Sequence, residues 1–259
     1  MEANINSGKI NEQKLNDFML RAVGDIASTI SAVLVLIGYR LGLYKAMALS
    51  REPITSEESA RKTNTNERLI KEWLANHDAS GYIIYNASNA EYFLPPEQAL
   101  ALADENSSVY MLGAYQAIRS YFKDEDKFVD MFKTGKGMKW EEHHHDLFEG
   151  TALFYKPNYV GNLVNLWIPS LEGVEQKLKR GAKVADIGCG YGISTIIMGN
   201  AYPNSKFYGF DNHRPSIEQA KIQVREEEEK AGQRLRNIVF SAVSANDESI
   251  GTDYDLITF

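Results

Sequence analysis

The stretch Val184-Ala185-Asp186-Ile187-Gly188-Cys189-Gly190-Tyr191-Gly192 constrains this chain more than any other. An apolar run ends in three glycines spaced two apart, and an amphipathic segment, 194–201, follows at once. The pattern predicts strand, glycine turn, helix. Glycine suits such a turn because it adopts positive φ and lets a ligand approach bare backbone. The N–H groups opening the next helix face the same place, with the positive end of the helix dipole. A nucleotide-like cofactor would sit there, at the carboxyl end of a sheet strand.

The turn is neither of two common phosphate loops. Ile193 follows Gly192, so the dinucleotide pattern G-x-G-x-x-G fails, and no lysine is present for a Walker loop. What remains is Asp-x-Gly-x-Gly-x-Gly. A second apolar run, 206–210, ends in Asp211, roughly 20 residues past the glycines, where an acid can accept hydrogen bonds from ribose hydroxyls.

The segment VADIGCGYGISTIIMGNAYPNSKFYGFD resembles motif I and the following strand of class I S-adenosylmethionine-dependent methyltransferases. The resemblance implies a Rossmann-like α/β domain that binds S-adenosylmethionine. It implies that Gly188, Gly190 and Gly192, with the small Cys189, pack against the methionine part of the cofactor. Asp186 would orient the amino group, and Asp211, with Asn212 beside it, would bind the ribose. Family members place an acid after the third strand for the adenine amino group. Here that position is Ser244, with Asn246 and Asp247 close by.

Length and composition set the remaining bounds. The 259 residues allow one large or two ordinary domains, and 44% hydrophobic content suits a real core. A net charge of −7 argues against nucleic-acid or anionic-membrane partners. Cys189, the single cysteine, excludes an internal disulfide and fits a reducing, cytoplasmic compartment. Its place in the turn invites a nucleophile reading, but no histidine adjoins it, and a small residue packed beside the ligand is the better account. Residues 1–10 lack the basic start and apolar run of a signal peptide, and residues 1–11 read as a polar, frayed start. The most apolar stretch, 26–38, is too short to cross a bilayer and reads as a buried helix at a domain or subunit interface.

Taken in order, residues 11–49 have helical spacing, with Gly42 as a break. Then come a short helix capped by Thr55 or Ser56 and a second helix burying Leu69, Ile70, Trp73 and Leu74. Strands at 82–85 and 91–94 follow, with a further helix at 97–103. Helix, turn, helix, hairpin is a winged-helix pattern. From residue 55 to residue 104, four basic residues face eight acidic ones, which argues against DNA binding. In the methyltransferases that this chain resembles, such a domain serves dimerisation and helps to shape the substrate pocket. A homodimer through the N-terminal helices is therefore expected.

Residues 107–132 read as one aromatic-rich helix. His143, His144 and His145 suggest a metal, but adjacent residues cannot all face one ion, so no metal site is assigned; a polar loop or pocket-lining segment is the alternative. The stretch 140–159 resembles the helical lid before motif I in one winged-helix methyltransferase subgroup. That resemblance singles out Phe154 and Pro157-Asn158-Tyr159. Residues 161–178 read as a helical run. Beyond Asp211, a helix begins near Pro215 and ends at Gly232, and strands follow at 238–243 and 254–259.

The expected organisation is an N-terminal, mainly helical winged-helix domain (1–106), a helical linker and lid (107–170) and a Rossmann-like methyltransferase domain (171–259). The family's sheet order is 3-2-1-4-5-7-6, and the sequence supplies the first four strands, so a fragment of a longer protein is expected. The expected activity is methyl transfer to a small-molecule acceptor, with no catalytic residue assigned. The rival reading is a non-catalytic dimerisation protein on the same fold.

Overall fold

The computed structural model describes residues 10–259. The frayed start and the leader-free reading of the first residues fall on 1–9 and lie outside the described residues. The chain divides into two compact units, the first ending at Ala99 and the second running from Leu100 to Phe259.

The first unit opens with α1 (Glu12–Arg40), capped by Asn11, whose side chain accepts from the Lys14 amide. Gly42, in the left-handed region, separates it from α2 (Leu43–Ser50). Helix α3 (Ser56–Thr63) starts at a capping box: Thr55 accepts from the Glu58 amide, and the Glu58 carboxylate accepts from that of Thr55. Helix α4 (Glu67–Ala79) buries Ile70, Trp73, Leu74 and His77. Leu69, expected on that face, is exposed. Strands β1 (Ile84–Asn86) and β2 (Glu91–Phe93) form an antiparallel hairpin that pairs Ile84 with Phe93. This is the helix, turn, helix, hairpin order of a winged helix. Helix α5 (Pro96–Leu102) contains the division between the units.

Helix α1 is only partly covered. It buries Ser31, Val35, Leu36 and Gly38, and the Trp73 indole N–H donates to the Leu34 carbonyl at 2.9 Å. Phe18, Val23, Ile26, Ile30 and Val33, however, are all more than half exposed within this chain. Its helical spacing therefore marks a face that the described residues leave uncovered. At 29 residues α1 is also long and apolar enough, by length and composition alone, to cross a membrane. The 13-residue reading missed this because the helix continues unbroken through Asp25.

In the second unit the expected helix at 107–132 is two, α6 (Leu112–Lys123) and α7 (Glu125–Thr134). The break is Asp124, 1% exposed, which accepts from the Lys127 ammonium at 2.7 Å and the His144 amide at 2.7 Å. A 3-10 turn (Trp140–Glu142) leads to α8 (His145–Asn158), which continues as a wider π-helical segment (Tyr159–Trp167). Pro157 lies at that junction; it lacks the N–H an α-helical rung needs, which suits a change of winding. The run expected at 161–178 is accordingly interrupted before α9 (Val174–Arg180).

Then follow β3 (Lys183–Ile187), α10 (Ile193–Ala201), β4 (Lys206–Asp211), α11 (Arg214–Ala231), β5 (Ile238–Ala242), a 3-10 turn (Glu248–Ile250) and β6 (Leu256–Thr258). Among the described residues these strands form a parallel sheet of order β5-β4-β3-β6, which is the 3-2-1-4 of the sequence reading. One core cluster gathers Leu178, Val184, Met198 and Phe207, and a second gathers Ile196, Ile217, Ala220 and Phe240. The strand residues of both clusters lie on one face of the sheet, while Val239 and Ile257 on the other face are about half exposed.

The first unit holds a titratable group in its core. His77 is fully buried, stacked on Trp73 with centroids 3.8 Å apart. Its Nδ1 donates to the Trp73 carbonyl at 3.0 Å, which leaves Nε2 to accept from the Tyr44 hydroxyl at 2.6 Å. Burial lowers its pKa from 6.5 to about 4. A depressed histidine contributes stability that is present above pH 6.5 and lost as pH falls toward 4, on the order of 3 kcal/mol in all. Denaturant titrations of the full chain between pH 7.5 and 4.5 should show that loss. A His77→Gln variant should show a shallower pH slope; an unchanged slope would contradict the account.

Candidate functional site

The site is built where β3 and β4 end side by side. Their register pairs Ile187 with Phe210, so the two carboxyl ends emerge level. The Gly188 and Cys189 amides both donate to the Phe210 carbonyl, at 2.7 and 3.0 Å. The Gly190 amide donates to Asp211 Oδ2 at 2.9 Å, and the His213 amide to Asp211 Oδ1 at 2.8 Å. The glycine turn is thereby bonded to the strand that carries the second acid. Each Asp211 oxygen spends one lone pair on these amides and keeps another for a ligand donor. Asp211 is 8% exposed and Asp186 4%. Asp186 accepts from Ser194 and Thr195 on α10 and from Thr258 on β6.

Above these strand ends lies a cavity of about 660 Å³, within the ~300–1,000 Å³ of small-molecule sites. Asp186, Gly188, Cys189, Gly190, Asp211 and Asn212 line it, and so does Ser244, with Val243 and Ala245. Asn246 and Asp247 are not among the lining residues, and Asp247 instead accepts from the Ser249 amide.

Gly192 does not line the cavity, which corrects the expectation that it offers bare backbone to a ligand. It begins α10 at φ +74°, and a Cβ there would lie under 3.0 Å from the Phe240 ring. Gly192 is needed for packing. Gly190 is the opposite case: its φ is +52°, and a Cβ would meet nothing within 4 Å, so its missing side chain leaves open space. Burial, with Asp186 and Asp211 close by, pushes the Cys189 thiol well above its ordinary pKa. This leaves it a packing residue rather than a nucleophile.

An aromatic wall faces this floor. Phe148, Thr151, Ala152, Tyr155 and Tyr159 follow one another at helical spacing along α8 and the π-helical segment, and all line the cavity. Phe154, singled out from sequence, points elsewhere; Tyr155 takes its place, and the three-and-four spacing was the signal that would have found it. Phe148 packs on the His213 ring at 4.1 Å and on Trp140 at 5.3 Å, toward the Asp211 end. Tyr159 packs on Trp167 at 6.1 Å, and its pKa is raised by burial and by Asp186, placing these rings toward the Asp186 end. Burial and Glu149 push Tyr191 up to about 12.

The histidine run lies at the start of α8. His143 Nδ1 is 3.5 Å from Asp124 Oδ2, and His144 Nδ1 accepts from the Asp146 amide at 3.2 Å. His144, His145 and Asp146 bring one ligand atom each within 4.8 Å of one another. Asp146 is fully buried, and the Arg119 fork takes both its oxygens. Although burial alone would raise its pKa, that bond holds the carboxyl below its ordinary range. A cation at this cluster would sit against the guanidinium.

Residues 29–104 match the family model of the Rv2258c-like winged helix-turn-helix domain, and residues 178–259 match that of a methyltransferase domain. A comparison with curated proteins returned no match. Among solved structures, a candidate O-methyltransferase of Nostoc punctiforme is similar over 96% of this chain and 70% of its own, at 19% identity and a TM-score of 0.64. The mitomycin 7-O-methyltransferase MmcR is similar over 95% and 71%, at 15% identity and a TM-score of 0.60. PigF with bound S-adenosylhomocysteine is similar over 92% and 70%, at 16% identity and a TM-score of 0.59. At these identities the likeness establishes the fold.

The two glycines separate binding from packing. Gly190→Ala should cost about 1–2 kcal/mol for a left-handed alanine and weaken S-adenosylhomocysteine binding at least tenfold. Gly192→Ala adds the overlap with Phe240 to the same backbone cost and should lose clearly more, about 3 kcal/mol or above. Melting curves and titrations of the two variants check this; the reverse ranking in stability would contradict it.

Proposed function

We propose that this chain, a class I S-adenosylmethionine-dependent methyltransferase with an N-terminal winged-helix domain, methylates a hydroxyl of a flat, aromatic small molecule. The observation that carries the reading is the cavity: two buried carboxylates and bare glycine backbone on one side, stacked aromatic rings on the other.

The lining residues fit the cofactor. Open space at Gly188 and Gly190 admits a ligand against the turn, and Asp211 keeps acceptor capacity for two ribose hydroxyls. Asn212 and Ser244 stand beside the same end, where Ser244 offers an acceptor to the adenine amino group. Asp186 would receive the amino group. When bound, S-adenosylmethionine supplies a methyl group made electrophilic by its sulfonium. The chain's own part is to hold donor and acceptor in line and keep water out, which is much of the catalysis in such a transfer. Tyr155, Tyr159 and Trp167 stand toward Asp186, where the sulfonium would lie, so their rings are the surface on which an aromatic acceptor would stack. The O-methyltransferase neighbours favour oxygen as the acceptor atom. Among the described lining residues there is no histidine, lysine or glutamate, and no general base is assigned.

The division at 1–106, 107–170 and 171–259 has a functional sense on this reading, because the middle segment supplies the aromatic wall. We also propose a homodimer through the N-terminal helices, supported by the exposed apolar face of α1, and a cytoplasmic location with no nucleic-acid partner, supported by the single cysteine and the net charge of −7.

Incubation with S-adenosylmethionine and a panel of planar phenols and catechols, with matching anilines, tests the activity. Mass spectrometry should find a methyl ether. Tyr155→Ala or Trp167→Ala should raise the acceptor KM about tenfold, the scale of one lost aromatic contact, with cofactor affinity within about twofold of wild type. Cofactor binding without product from any acceptor, or methylation confined to the anilines, would contradict the proposal.

A further inference from the structure

Three hydroxyls donate to the Asp186 carboxylate. Its Oδ2 accepts from Ser194 Oγ at 2.7 Å and from Thr195 Oγ1 at 2.5 Å. Its Oδ1 accepts from Thr258 Oγ1 at 2.8 Å. The two α10 hydroxyls come from the first turn after the glycine loop, while Thr258 is the cross-strand partner of Asp186 in the β3–β6 ladder. The acid is therefore clamped from two directions, by the helix after its own loop and by the neighbouring strand. Thr195 is fully buried and does not line the cavity, so its hydroxyl has no ligand of its own to meet.

A carboxylate has about four lone-pair sites. Three are filled, both on Oδ2 and one on Oδ1, which leaves a single acceptor position on Oδ1. We infer that Ser194, Thr195 and Thr258 are positioning residues that fix the Asp186 carboxylate so that Oδ1 alone receives the amino group of the cofactor. The inference rests on the cofactor reading above and adds to it which oxygen is used and what aims it. A carboxylate without the clamp would rotate about χ2 and share its charge between two oxygens. Charge-assisted hydrogen bonds to hydroxyls are short and directional, and suit such a task.

Two ligands separate aiming from folding. S-adenosylhomocysteine carries the amino group; 5′-methylthioadenosine keeps the adenosine and lacks the whole amino-acid part. Thr195→Val and Thr258→Val keep side-chain shape and remove the hydroxyl, and Thr195→Ser and Thr258→Ser restore it. Calorimetric titration should show each valine variant weakened about tenfold or more for S-adenosylhomocysteine and unchanged within twofold for 5′-methylthioadenosine. The serine variants should recover most of the loss. Ser194→Ala, on the more accessible side, gives an independent reading if a valine variant fails to fold. Equal losses for both ligands would mean a merely structural role and overturn the inference, as would unchanged S-adenosylhomocysteine binding. Wild-type protein that binds neither ligand would defeat the cofactor reading, and this inference with it.

Discussion

The hydrogen bond from the Gly190 amide to Asp211, with those from Gly188 and Cys189 to the Phe210 carbonyl, is the constraint on which the site depends. It joins a turn after one parallel strand to the acid ending the next. With it, two residues far apart in sequence become one surface, held by the β3–β4 register beneath. Desolvation makes the arrangement demanding, since each buried carboxylate needs donors. Amides supply them to Asp211 and hydroxyls to Asp186.

The same logic explains what could be read from sequence. Asp186, the glycines and Asp211 are local to the short apolar runs of β3 and β4, so the strand–turn–helix–strand unit and its acids were visible. What failed was whatever depends on a distant partner. Gly192 looked like a ligand glycine, but Phe240, from β5, decides its role. The break at Asp124 came from Lys127 and the His144 amide, not from a helix breaker. The clamp on Asp186 needs Thr258, brought across by strand register. The resemblance that singled out Phe154 and Tyr159 passed over Tyr155, which the helical spacing along α8 would have found.

Helix α1 shows what periodicity leaves open. Its periodic apolar residues predicted burial at a domain or subunit interface, and periodicity reports only that a face is apolar, not what covers it. Within this chain Phe18, Val23, Ile26 and Ile30 stay exposed while Val35 and Leu36 pack. The histidine run is similar in kind: it looked like a ligand set, yet its acids are occupied. Asp124 is held by Lys127, and Asp146 by Arg119. Charge pairing organises the start of α8, the helix that presents the aromatic wall.

The central claim is that the β3 turn and Asp211 form a nucleoside-cofactor site. Calorimetric titration of the full chain with S-adenosylmethionine, beside Asp211→Asn, tests it most directly. The account predicts saturable one-to-one binding, weakened at least about tenfold by Asp211→Asn, because an amide cannot match a carboxylate as acceptor for two ribose hydroxyls. Folded protein that shows no saturable binding, or an Asp211→Asn variant that binds as tightly as wild type, would contradict it.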